Sequence, residues 1–125
     1  MSASGTAFDL VDVAEVWPTL AALPPDAEDA LHACQAGDAL CFRGPAGVFV
    51  LTLRPGDNPG QMEAFVLLAV ASRFGAFSEA EPAVLAIARD LTAATVAFRS
   101  VRKGWARRLG PAWRPRGERE FWRHT

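Results

Sequence analysis

The sequence predicts an α/β fold on one mixed sheet, and three observations carry that expectation. Residues Ala64 to Ala71 form an unbroken apolar run of eight, too short to span a bilayer and suited to a central strand covered on both faces. Ser78-Glu79-Ala80-Glu81 then reads as a capping box, followed at helical spacing by Val84, Ile87, Ala88 and Leu91. Thr95 to Val101 restores period two, with Val96 and Phe98 on one face and Thr95, Ala97 and Arg99 on the other. Strand, helix and strand in that order make a crossover between parallel strands, for which a right-handed connection is expected.

The remaining elements follow from local chemistry. Thr6 to Val11 reads as a first short strand. Asp12 is placed to cap a helix lined by Val13, Val16, Trp17, Leu20 and Leu23, which Pro18 should kink or restrict to short pieces and Pro24-Pro25 ends. Asp26 is placed to cap a second helix through Ala36, with Ala27, Ala30, Leu31 and Cys34 inward and Gly37 as the left-handed residue after it. Ala39 to Arg43 and Val48 to Leu53, separated by Gly44-Pro45-Ala46-Gly47, predict an antiparallel hairpin, and a second turn at residues 54–60 leads into the central strand. Beyond Ser100, Lys103 to Leu109 predicts a short helix broken by Gly110-Pro111, and residues 113–116 and 119–122 a last hairpin around Gly117.

With 125 residues, half of them hydrophobic, the chain is long enough to bury about two-thirds of its unfolded surface as one domain spanning residues 1–125. Its start carries no basic and apolar leader pattern and no run approaches the length of a membrane span, so neither secretion nor a membrane partner is expected. Cys34 and Cys41 do not form a CxxC pair, and two thiols with two histidines make a poor metal set, so no metal is expected and both thiols read as reduced and partly buried. The net charge of −1 conceals a split: residues 99–125 carry 9 Lys+Arg against 2 Asp+Glu, whereas residues 1–98 carry 4 against 12. Such a tail is either an arm for nucleic acid or another polyanion, or an element folded against the chain's own acidic face. Its interleaved tryptophans carry the same two readings, anchoring of a late hairpin under arginine stems first and stacking on bases second.

The order of elements resembles the GCN5-related N-acetyltransferase (GNAT) fold: antiparallel strands 1 to 4, a βαβ crossover to a parallel strand, then a C-terminal short helix and hairpin. Two stretches carry the resemblance. Val70 to Ala76, VASRFGA, is similar to the end of that family's fourth strand and the loop that holds coenzyme A pyrophosphate, of form R/Q-x-x-G-x-G/A, with Arg73 and Gly75 matching. The stretch RRLGPAWRPRGEREFWR is similar to the family's last helix and hairpin, with Leu109, Gly110, Arg114, Gly117 and Glu118 matching, and FRSVRKGWARRLG looks like endings of small acetyltransferase-like proteins of tailed phages and prophages. The resemblance implies acetyl-CoA as cofactor, held at Val70, Ala71, Arg73, Gly75, Ala76 and Ser100, and an amine of unidentified structure as substrate.

Measured against that chemistry the residues are incomplete. A pyrophosphate loop aims backbone N–H groups at an anion from a helix N-terminus, and here Glu79 and Glu81 stand in the first turn, where they repel phosphate. Transfer to an amine needs a base for the ammonium and an acid for the leaving thiolate. The family's acid is often a tyrosine in the last helix; Ala106 stands at that position and the chain has no Tyr. Glu63 is the candidate base, on the expectation that a carboxyl beside an apolar strand has its pKa raised. His32, His124 and Cys34 read as incidental. Two functions therefore stand: an acyl-CoA-dependent N-acetyltransferase-like protein of phage or prophage type, active or catalytically degenerate, and a non-catalytic phage particle or assembly component that contacts protein or DNA through the fold. The expected location is the cytoplasm or a phage particle.

Overall fold

The computed structural model of the chain describes residues 6–20, 27–71, 76–100 and 108–125. β1 (Asp9–Val11) precedes α1 (Val13–Val16), a 3-10 turn (Trp17–Thr19) and α2 (Ala27–Gln35). β2 (Ala39–Gly44), β3 (Gly47–Pro55) and β4 (Met62–Ala71) form an antiparallel meander. α3 (Ala76–Asp90) then crosses to β5 (Ala93–Arg99), and β6 (Arg114–Arg116) and β7 (Glu120–His124) close the chain as a hairpin. The described residues form one seven-stranded sheet, in the order β1-β2-β3-β4-β5-β7-β6, in which β4 and β5 pair in parallel and the other described pairs are antiparallel. The α/β class, the central strand and the parallel crossover are therefore as the sequence predicts.

Local chemistry sets most boundaries. The Asp12 carboxylate accepts the Ala14 N–H at 2.9 Å and starts α1, which passes into the 3-10 turn where Pro18 lacks an N–H to continue it. At the end of α2, Gly37 takes a φ of 82° while its N–H donates to the Cys34 carbonyl and the Asp38 N–H to that of Ala33, the double closure that glycine permits. The Lys103 to Leu109 helix lies, apart from its last two residues, outside the described residues, as do Leu23 and the Asp26 cap.

Two expectations are corrected. Ser78 does not cap α3, because the helix already begins at Ala76, and Glu81 turns to Trp113 Nε1 and Arg123 instead of back to the helix start. Nor is β4 covered on both faces along its length: Ala69 and Ala71 are exposed. The ladder between β4 and β5 ends at Val66 opposite Phe98, so residues 67–71 have no flanking strand on that side among the described residues.

A register shift explains why β4 reads as a solid apolar run. Val50 pairs with Leu68 but Leu51 with Val66, which leaves Leu67 as an extra residue in β4. The phase of the strand inverts there. Ala64 and Val66 face α3 with Leu85, Ala88 and Val96, whereas Leu68 faces α1 and α2 with Val16, Ala30, Cys41 and Val50. Helices thus cover both sides of the meander, and a second aromatic cluster of Phe8, Phe42 and Phe49 packs under α3 beside Ile87.

This arrangement makes Leu68 intolerant of charge. Leu68→Asp buries an unpaired carboxylate and should abolish soluble folding, whereas Leu68→Ala should cost about 2–5 kcal/mol in denaturant unfolding. Leu10, 55% exposed on the edge strand, should accept Asp with a change within about 0.5 kcal/mol.

Candidate functional site

Two places in the molecule concentrate chemistry. The first is the C-terminal end of the parallel pair β4–β5, the position where open α/β sheets hold ligands. Val70, half-buried, and Ala71, exposed, lie there beyond the last β5 pairing, and Ala76 opens α3. Ser100, just past β5, donates its backbone N–H to the Arg119 carbonyl at 2.8 Å. Arg73, Gly75 and Ala106 lie outside the described residues. The fold therefore brings the described members of the expected cofactor set to one end of the sheet and separates them from Glu63, at the other end of β4.

The second place is a row of charge that starts at Glu63, at that opposite end, and runs across the sheet to Arg99, the residue before Ser100. The pairings Arg54↔Glu63↔Thr95 across β3, β4 and β5, with Arg99↔Glu120↔Arg116 across β5, β7 and β6, set these side chains on the sheet face away from α3. Glu63 is 1% exposed. Its Oε2 accepts Arg54 Nε at 2.8 Å and Arg116 Nη1 at 3.0 Å, and its Oε1 accepts Thr95 Oγ1 at 2.9 Å and Arg116 Nη1 at 3.0 Å. Glu120, also buried, accepts Arg54 Nη2 and Arg116 Nη1, each at 2.9 Å. Arg116 reaches on to Asp57 with Nη2, at 2.9 Å, in the β3–β4 turn. Every buried polar side-chain atom among the described residues is satisfied.

This pairing reverses the expected behaviour of Glu63. Burial by itself raises the carboxyl's pKa, but the hydrogen bonds from Arg54, Thr95 and Arg116 and the Arg54 charge outweigh it and hold the group below its ordinary value. Arg116 is shifted the other way: burial lowers it, yet Glu120, Glu63 and Asp57 more than compensate and raise it. Burial pushes the Cys41 thiol up to about 11 and raises Cys34 as well, so both are poor thiolates at neutral pH. Among the described residues no group of His, Cys, Asp and Glu is placed to hold a metal, and no helix is long and apolar enough to cross a membrane.

The basic tail resolves into two populations. Arg116 and Arg123 fold against acids of the body, Glu63 with Asp57 and Glu81 respectively. Trp113 is a hairpin anchor: it packs edge-on to Phe98 at 5.2 Å and donates Nε1 to Glu81. Arg99, Arg114 and Arg119 instead stand exposed, and Arg99 and Arg119 line an open groove of about 580 Å³ at the β6–β7 turn. A smaller cavity of about 260 Å³ lies between Phe8, Ala46 and the start of α3. Sequence reasoning missed the Arg54–Glu120 and Arg116–Glu63 pairings because they join residues 66 and 53 positions apart; the one local signal is the strand alternation that puts Arg54, Glu63, Thr95 and Arg99 on a common face.

A depressed native pKa means that Glu63 stabilises the fold above its unfolded value and that this contribution is lost as pH falls through its native value. Thermal melts of the protein should therefore drop in midpoint below a pH of about 4.5, the unfolded carboxyl range. Glu63→Gln should melt lower at pH 7, by about 3 kcal/mol for two arginines left with one buried acid, and should show a shallower acid dependence. An equal acid dependence in both proteins would place the acid-labile group elsewhere.

No protein-family model, curated protein or solved structure matches this chain.

Proposed function

We propose that the chain is a GNAT-like acyl-CoA-binding protein of phage or prophage type in which acetyl transfer has degenerated. The observation that supports binding is the divergence of β4 from β5 after Val66 and Phe98. Residues 67–71 of β4 pair with no strand on that side among the described residues, and an extended pantetheine arm, itself an amide chain, can add to such an edge as a strand does. α3 starts close by at Ala76 and turns its N-terminal end to the same place, where a pyrophosphate is favoured by free N–H groups and opposed by Glu79. Arg73 is the proposed phosphate neighbour.

The clamp on Glu63 favours the non-catalytic alternative, a particle or assembly component. Held ionised by two arginines and a threonine, Glu63 has little basicity to offer an incoming ammonium, and with no Tyr in the chain the leaving thiolate lacks the family's usual acid. Acyl-CoA binding and catalysis are thus separable properties of this fold.

Thermal-shift titration with acetyl-CoA separates them. A ligand at about 100 times its Kd adds about 2.7 kcal/mol of stability, so the melting temperature should rise, less so in Arg73→Ala, while thiol release with amine acceptors stays at the uncatalysed rate. No shift at millimolar acetyl-CoA removes the acyl-CoA reading and leaves the assembly role; thiol release above background removes the degenerate one.

A further inference from the structure

The sheet face away from α3 is divided. Under α1 and α2 it is apolar, with Ala39, Cys41, Val48, Val50 and Leu68. Toward β5, β7 and β6 the same face carries arginines laid over aromatic rings. The Arg54 guanidinium sits 4.1 Å from the centre of the Phe65 ring, and those of Arg116 and Arg114 sit 5.2 and 5.7 Å from the Trp122 ring. His124 meets Trp122 edge-on at 5.1 Å.

Charge on this face is layered. The acids Glu63 and Glu120 are buried beneath, and ion pairs tie Arg54 and Arg116 to them. The exposed groups around them are one acid, Asp57, which holds Arg116 at 2.9 Å, and three cations: Arg99, with a side chain 64% exposed and 3.6 Å from Glu120, and Arg114 and Arg119, which have no carboxylate partner among the described residues. Arg99 and Arg119 also line the groove at the β6–β7 turn, where Glu118 is the exposed acid.

We propose that this half of the sheet binds single-stranded nucleic acid, with Arg99, Arg114 and Arg119 contacting phosphates and Trp122 and the stacked guanidinium planes receiving bases. Flat rings and guanidinium planes on an open sheet suit unpaired bases, whose π-faces are free, while a duplex hides those faces and is read by elements that project into a groove. An acidic peptide would use the cations and leave the rings without a role. The proposal stands apart from the acyl-CoA reading, since it uses no β4 residue beyond Phe65 and none of the expected cofactor positions.

The test is fluorescence anisotropy of the intact protein with a labelled oligothymidylate of about 12 nucleotides, within the length that one such domain covers. Affinity should fall with salt, and the variant Arg99→Gln, Arg114→Gln, Arg119→Gln should lower the log–log salt slope by about 2, as three lost single-strand phosphate contacts require. These side chains are exposed, so the variant should keep the parent melting temperature, and Arg43→Gln on β2 should bind as the parent does. Absence of binding at low salt, unchanged binding by the triple variant, or displacement by a duplex or by polyglutamate as readily as by unlabelled oligothymidylate would each overturn the proposal.

Discussion

The Glu63 carboxylate is the constraint on which the distal half of the sheet depends. A carboxylate at 1% exposure is tolerable only when paired and fully hydrogen-bonded, and its partners come from β3, β5 and β6. Satisfying it therefore requires four strands to be in register at once. A slip of β4 by one residue would turn Glu63 to the α3 side, among Leu85, Ala88 and Val96, where nothing described could pair it. The network contributes more to the choice of register than to net stability, since a buried ion pair roughly offsets its own desolvation.

The same constraint shapes what the site can do. Arg54 and Arg116 each bridge Glu63 and Glu120, so neither acid is left as a free proton acceptor, and the guanidinium carbons sit over the Phe65 and Trp122 rings. A carboxyl with its pKa depressed by cations is suited to holding structure and poorly suited to taking a proton from an amine. The two acids are buried beneath, while Arg99, Arg114 and Arg119 stand exposed together with Asp57 and Glu118.

At the other end of β4 the Leu67 register shift and the loss of β5 pairing occur together. A bulge bends its strand and increases local twist, and here it immediately follows the last parallel pair, Val66 with Phe98. One irregularity thus reverses the burial phase of β4, so that two helical layers share one apolar strand, at the point where its described pairing with β5 ends.

The sequence by itself determined the elements whose causes are local: the 3-10 turn at Pro18, the close of α2 at Gly37, the β2–β3 hairpin, the βαβ crossover and the hairpin around Gly117. Each rests on a dihedral preference or a periodicity that a few neighbouring residues specify. Tertiary structure alone decided the start of α3 ahead of Ser78, the insertion of β7 between β5 and β6, the phase change at Leu67 and the pairing of Glu63 with Arg54 and Arg116. Glu63 shows the reason. Whether a carboxyl beside an apolar strand is raised or lowered in pKa depends on which cations the fold delivers to it, and Arg116 arrives from 53 positions away, by a strand order that no local pattern encodes.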